Sequence, residues 1–146
     1  MTIIMFNKSK PYVFVKGAFN GKTKTYGSCG VLLENDNLHI IQDYGRHPNE
    51  IIMVDIAGEI HATMSAVELA IKLGLDSIQI IHSHPGIKDW TTYSCKTNHP
   101  LIENYNARIR SAMRYIKIKF VDMKNVSNNE GNKIAEKLAR QAVDLK

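Results

Sequence analysis

Hydrophobic positions in the first third of the chain form short runs separated by polar turns. The three runs are Tyr12-Val13-Phe14-Val15, Val31-Leu32-Leu33 and Leu38-His39-Ile40-Ile41. Asn20-Gly21 follows the first run, and Asn35-Asp36-Asn37 separates the second from the third. Short β-branched and aromatic runs joined by such turns predict an antiparallel meander of three strands.

The spacing of apolar residues then changes to that of a helix. They recur every three or four positions at Ile56, Ile60, Met64, Val67 and Ile71. Gly74, shortly after Lys72, is typical of a helix end. A fourth strand is predicted at 77–81, a second long helix at about 101–113 and a fifth strand at 116–121.

The last predicted helix carries an apolar stripe that includes Ile134 and Ala139. The complete order is therefore β-β-β-α-β-α-β-α, which predicts an α/β fold with a five-stranded mixed sheet and helices on its faces. Because helices connect the later strands, we expect strands four and five to run parallel to strand one.

Size and composition fit one domain over residues 1–146, with a core at about 11–144. The chain is 44% hydrophobic and 23% charged, which is ordinary for a globular protein. No apolar run approaches the roughly 18–20 residues that span a bilayer, and no basic segment precedes the apolar start. We therefore expect a cytoplasmic protein without membrane contact. Cys29 and Cys95 have no CxxC spacing, so both are expected to be reduced thiols.

The charge is uneven along the chain. The net charge is +5, and one short stretch carries six cations against Asp122: Arg108, Arg110, Arg114, Lys117, Lys119 and Lys124. An ordinary solvated surface explains this stretch on composition alone. A surface that binds the phosphates of a nucleic acid is the functional alternative.

Six segments, in order, resemble motifs of the ribonuclease H family. They span most of the chain: 15–20, 26–33, 57–62, 86–90, 96–105 and 132–139. Ala57-Gly58-Glu59 resembles the motif that opens the family's first helix, and Gly86-Ile87-Lys88-Asp89-Trp90 resembles the segment after its fourth strand. The resemblance implies a ribonuclease H-like fold and a site for cleaving RNA in an RNA–DNA hybrid.

In that family, four carboxylates hold two Mg²⁺ ions about 3.5–4 Å apart. Mg²⁺ is a hard cation that takes oxygen ligands. When the resemblance is used to transfer the family's four catalytic positions to this sequence, they fall on Lys16, Glu59, Ser83 and Glu136. Glu59 is the one unchanged carboxylate, and Glu136 is a longer version of the family's aspartate.

The substitutions at Lys16 and Ser83 predict that two-metal catalysis is lost. An ammonium group at Lys16 repels a divalent ion in a partly buried site. Lys16 either replaces the metal by pairing with Glu59 and Glu136, or extends its ammonium to solvent. We expect no cofactor, with Mg²⁺ needed only if the protein is an active ribonuclease with a reorganised site.

A rival motif is His82-Ser83-His84-Pro85, which resembles the core of the JAMM zinc isopeptidases. Two histidines two positions apart at a strand end can both bind Zn²⁺, and Cys95 is a candidate third ligand. The rest of the chain does not follow the order of that family. We therefore treat His82 and His84 as a weak alternative metal site.

Three classes of function remain. The first is a binding module for nucleic acid or for a protein that handles nucleic acid, such as an inhibitor or accessory protein of a phage or mobile element. In this class, Arg108, Arg110, Arg114, Lys117 and Lys119 are the candidate nucleic-acid contacts. The second class is an active metal-dependent ribonuclease. The third is a protein-interaction domain without nucleic-acid binding. The sequence does not determine the oligomeric state.

Overall fold

The computed structural model describes residues 6–91, 99–127 and 129–146. Within these residues one sheet is formed by β1 (Tyr12–Asn20), β2 (Thr25–Glu34), β3 (Asn37–Gly45), β4 (Ser77–His82) and β5 (Lys117–Asp122). Their order across the sheet is β3-β2-β1-β4-β5. The helices are α1 (Asp55–Lys72), α2 (Gly86–Asp89), α3 (Pro100–Ala112) and α4 (Glu130–Gln141).

The strand pairing confirms the predicted mixed sheet. β1 and β2 are antiparallel, with Val15 opposite Gly30, and β2 pairs with β3 in the same sense. β4 runs parallel to β1, with Phe14 opposite Ile81, and β5 runs parallel to β4. The short helix α2 and two 3₁₀ turns, Ile51–Met53 and Met123–Asn125, are additions to the predicted order.

The two faces of the sheet bury separate hydrophobic cores. Val13 and Val15 face α1 and α3, where they join Ile60 and Tyr105. Successive side chains of a strand point to opposite faces. Phe14, which lies between them, therefore faces α4 and its buried alanines. The sheet thus lies between two helical layers, and the residues at the end of β1 are held from both sides.

Glycines allow α1 to approach β1 and β2 closely. A Cβ atom at Gly17 would overlap the carbonyl oxygen of Asp55, and one at Gly58 would overlap the carbonyl oxygen of Gly27. The backbones touch because neither glycine has a side chain. This contact places the first turns of α1, including Glu59, directly beside β1.

In the part of the chain that the structure describes, no helix combines the length and the apolar character needed to cross a membrane.

Candidate functional site

Two of the four candidate catalytic positions are in direct contact. Phe14 pairs with Ile81, so Lys16 and Ser83 lie level with each other two residues further along the parallel strands. The Lys16 ammonium donates a hydrogen bond from Nζ to Ser83 Oγ over 3.0 Å. Both side chains are half-buried.

Glu59 reaches the same point from α1. Its Oε2 atom accepts hydrogen bonds from the backbone N–H groups of Ser83, at 3.1 Å, and His84, at 2.9 Å. Only 5% of Glu59 is exposed. The structure therefore brings three of the four candidate positions, Lys16, Glu59 and Ser83, into one cluster.

Burial controls the ionisation of Glu59. Loss of solvent raises the pKa of Glu59 to about 7, although the two backbone N–H groups and the charge of Lys16 act to lower it. The nearby charge of Asp55 adds to the increase. Glu59 is therefore a carboxyl group that changes its charge near neutral pH rather than near its ordinary value.

Glu136 is not part of this hydrogen-bonded cluster. Its side chain is exposed on α4 and makes no hydrogen bond or ion pair within the described residues. Lys16 likewise forms no ion pair with Glu59 or Glu136 among those residues. Its ammonium is bound to the Ser83 hydroxyl and acts on Glu59 through space.

These groups do not fit a divalent metal ion. Mg²⁺ requires several oxygen ligands and is normally held by carboxylates. Here Glu59 is the one carboxylate in the cluster, and its Oε2 already accepts two backbone hydrogen bonds. The Lys16 ammonium also contacts Ser83, and its positive charge repels a cation.

The two histidines of the rival zinc motif are engaged in local contacts. His82 is 3% exposed, and its Nδ1 lies 3.0 Å from the carbonyl oxygen of His84. Burial lowers the pKa of His82. His84 Nδ1 accepts a hydrogen bond from the Gly86 N–H, and its ring stacks on Trp90 with 5.3 Å between centroids. Cys95, the candidate third ligand, lies outside the described residues.

No group of three or more His, Cys, Asp or Glu side chains is arranged to hold a metal in the described ranges 6–91, 99–127 and 129–146.

The basic stretch is divided between elements. Arg108 forms an ion pair with Glu68 of α1, so its charge is partly neutralised. Arg110 lies in the last turn of α3, and Arg114 follows that helix. Lys124 lies 4.0 Å from Asp122.

The lysines of β5 lie on the other side of the sheet from α3. Ile118 and Phe120 contact the core that α3 helps to form. By strand alternation, Lys117 and Lys119 therefore face the α4 side. The structure does not gather the five candidate nucleic-acid contacts onto one face.

A cluster that the sequence analysis did not predict links the loop before α1 to the sheet. Tyr26 donates a hydrogen bond from its hydroxyl to Glu50 Oε1 at 2.5 Å, and His61 Nε2 lies 2.7 Å from the same oxygen. The Tyr26 and His61 rings stack with 5.4 Å between centroids. Burial and the Glu50 carboxylate raise the pKa of Tyr26. The three residues come from distant parts of the chain, so no local sequence signal identifies them.

Comparison with known proteins identifies the fold. No protein-family model and no curated protein matches the chain. Among solved structures, the ribonuclease H1 of the archaeon Halobacterium salinarum NRC-1 is 20% identical, with a TM-score of 0.72 over 92% of this chain and 98% of its own. The N-terminal ribonuclease H domain of rv2228c from Mycobacterium tuberculosis is 17% identical, with a TM-score of 0.73 over 94% and 95% of the two chains.

A third similar structure is LC11-RNase H1, obtained from compost by a metagenomic approach and solved in complex with an RNA/DNA hybrid. In that complex it is 19% identical to this chain, with a TM-score of 0.71 over 92% of this chain and 97% of its own. The chain therefore has a ribonuclease H-like fold, as the ordered motifs predicted.

The raised pKa of Glu59 predicts a dependence of stability on pH. A carboxyl group whose pKa is higher in the folded state binds its proton more tightly in that state. The free energy of unfolding therefore falls as the pH rises from the pKa of Glu59 in the unfolded chain towards its folded pKa of about 7. We expect the free energy of unfolding of the protein to fall relative to that of Glu59→Gln by on the order of 2 kcal/mol between about pH 5 and pH 8. Urea unfolding at each pH measures this difference.

The matching variant is Lys16→Met, which removes the charge that lowers the pKa of Glu59 and keeps the length of the side chain. In Lys16→Met the pKa of Glu59 should be higher still, so the loss of stability should extend to higher pH. Parallel stability curves for the protein and Glu59→Gln would contradict the assignment of a neutral-range pKa to Glu59.

Proposed function

We propose that this chain is a ribonuclease H-like module that binds nucleic-acid duplexes, an RNA–DNA hybrid in particular, and does not cleave them. The observation that carries the proposal is the contact of the Lys16 ammonium with the Ser83 hydroxyl beside the buried Glu59. This contact puts a fixed positive charge at one of the four positions that hold carboxylates in an active ribonuclease H.

The magnitude of the repulsion supports a loss of metal catalysis. Two unit charges 4 Å apart interact by about 4 kcal/mol at an effective dielectric constant of 20, so an ammonium opposes a divalent ion by about 8 kcal/mol. The ribonuclease H family has a carboxylate where this chain has Ser83, so a further negative charge that would attract the metal is absent. Lys16 supplies a permanent cation in the same cluster, which favours anions over metal ions.

Charge and fold support a nucleic-acid ligand. The net charge of +5 favours a polyanionic partner, and LC11-RNase H1, which shares the fold, is solved with an RNA/DNA hybrid. Lys117 and Lys119, which face the α4 side of the sheet, are proposed contacts for the phosphates. A module of this kind fits an accessory protein or inhibitor that acts on nucleic-acid machinery.

Binding and cleavage are tested with one labelled RNA–DNA hybrid of about 20 base pairs. We expect salt-sensitive binding by fluorescence anisotropy at about 50 mM salt, where phosphate contacts are strongest. We expect no cleavage with Mg²⁺ or Mn²⁺ above the level seen with Glu59→Gln. Metal-dependent cleavage that Glu59→Gln abolishes would overturn the proposal in favour of an active ribonuclease.

A protein-interaction domain is the second candidate, and one observation favours it. The outer strand β3 exposes large apolar side chains, with Leu38 57%, Ile40 50% and Tyr44 61% exposed. An open strand edge with apolar neighbours is suited to pairing with another chain. Failure of the protein to bind hybrid, double-stranded RNA or DNA at about 50 mM salt would favour this candidate.

A further inference from the structure

The outward face of α4 forms a groove rich in cations. The groove has a volume of about 490 Å³, and its lining includes Lys133, Lys137, Arg140 and Lys146, with Glu136 as its one acidic residue. The opposite side of α4 carries Ala135 and Ala139, which are fully buried against the sheet. The cations are therefore directed away from the core.

Helical spacing aligns these cations in a row. Residues separated by three or four positions share one face of a helix, so Lys133, Lys137 and Arg140 follow one another along α4. At about 1.5 Å per residue, they extend over about 10 Å. One strand of a duplex presents about three phosphates over that length, at about 3.4 Å of axial rise for each.

The two lysines of this row have no side-chain partner among the described residues. Neither the Lys133 nor the Lys137 side chain has a hydrogen bond or ion pair with a described residue. The Arg140 guanidinium donates to the main-chain oxygen of Lys146 from Nε at 3.2 Å and from Nη2 at 2.6 Å. Like charges four positions apart in a helix are mildly destabilising. An anion that binds to the row offsets this repulsion and therefore stabilises the helix.

α4 runs along β1, since the Phe14 ring packs against Gly131 and the Asn20 amide donates to the Val143 carbonyl oxygen at 2.7 Å. Lys16 lies between Phe14 and Asn20, so it is level with the turns of α4 that carry Ala135 and Ala139. The row of cations lies on the side of α4 that faces away from β1.

We propose that the outward face of α4 binds the sugar-phosphate backbone of one strand of the duplex. This inference rests on the proposed function and deepens it by naming the surface. It differs from the stretch between Arg108 and Lys124, which is divided over two faces of the sheet and partly neutralised by Glu68.

The test compares two double variants that each remove two positive charges. Lys133→Gln with Lys137→Gln alters the groove, while Lys10→Gln with Lys72→Gln alters exposed lysines elsewhere. Binding of the RNA–DNA hybrid is measured from about 50 to 200 mM salt. Losing two phosphate contacts should flatten the slope of log K against log salt by about 1.8. Over that range, the unaltered protein should lose about tenfold more affinity than the groove variant, while the control variant should follow the unaltered protein.

Equal salt slopes for the groove variant and the unaltered protein, with hybrid binding intact, would overturn the α4 assignment and leave the proposed function standing. Loss of slope only in a third variant, Arg110→Gln with Arg114→Gln, would move the surface to α3. Absence of hybrid binding by the unaltered protein would overturn the proposed function itself.

A competition experiment compares polyglutamate with unlabelled hybrid at equal charge. If polyglutamate competes as effectively as the hybrid, the phosphate assignment is overturned in favour of an acidic protein. Similar melting temperatures are expected for all variants, because the altered side chains are exposed or, for Arg110, half-buried.

Discussion

Replacing Lys16 and Ser83 together with aspartate is expected to give the protein a binding site for Mn²⁺ or Mg²⁺. The double change adds two negative charges to a cluster that already holds Glu59 and removes the positive charge of Lys16, so the net charge of the cluster falls by three. Without metal, the repulsion among the clustered carboxylates should lower the melting temperature. With metal at 100 times its Kd, binding should return about 2.7 kcal/mol of stability.

Thermal unfolding with and without Mn²⁺ measures this gain, and calorimetric titration measures the affinity. The matched control is Lys16→Asn with Ser83→Asn, which has similar shape without the charge and should bind no metal. Adding Glu59→Gln to the aspartate variant should weaken binding. Equal metal binding by the unaltered protein would show that Lys16 does not exclude divalent ions.

Replacing Gly58 with alanine is expected to destabilise the protein by about 3 kcal/mol or more, in the upper part of the range for overpacked cores. The new Cβ would overlap the carbonyl oxygen of Gly27, which belongs to the sheet backbone and cannot move aside. In an unconstrained helix the same change would stabilise by about 1 kcal/mol. The sign of the effect therefore reports the close contact of α1 with β2.

Urea unfolding measures the change, and Gly21→Ala is the matched control. No atom lies within 4 Å of a Cβ placed at Gly21. That control should change stability by less than about 1 kcal/mol. A Gly58→Ala protein as stable as the unaltered one would mean that α1 can shift from β2. Such a shift would also move Glu59 away from the backbone N–H groups of Ser83 and His84.

Much of the fold follows from local patterns. The change from strand to helix period predicted the element order, and the need for helical crossovers predicted that β4 and β5 run parallel to β1. The buried face of the last helix differs from the one that the apolar pattern predicts. Ile134 was assigned to the apolar stripe of the last helix but is 48% exposed, whereas Ala135 beside it is fully buried. Burial at that position depends on which side of α4 meets the sheet.

The candidate site was predicted only in part. The family resemblance named Lys16, Glu59 and Ser83, and the parallel pairing of β1 with β4 places Lys16 and Ser83 level with each other. The resemblance did not reveal that Lys16 binds Ser83 rather than an acidic side chain. Nor did it reveal the raised pKa of Glu59, because a pKa depends on burial and on neighbours from several elements.

The sequence by itself determined the order of the elements and the identity of the charges, because both follow from local spacing and residue type. Only the tertiary structure decided which charges act together. Residues that are close in sequence can be separated: Arg110 lies on α3, which covers one face of the sheet, whereas Lys119 of β5 faces the other side. Residues that are far apart, such as Lys16, Glu59 and Ser83, meet because β1, α1 and β4 converge at one point.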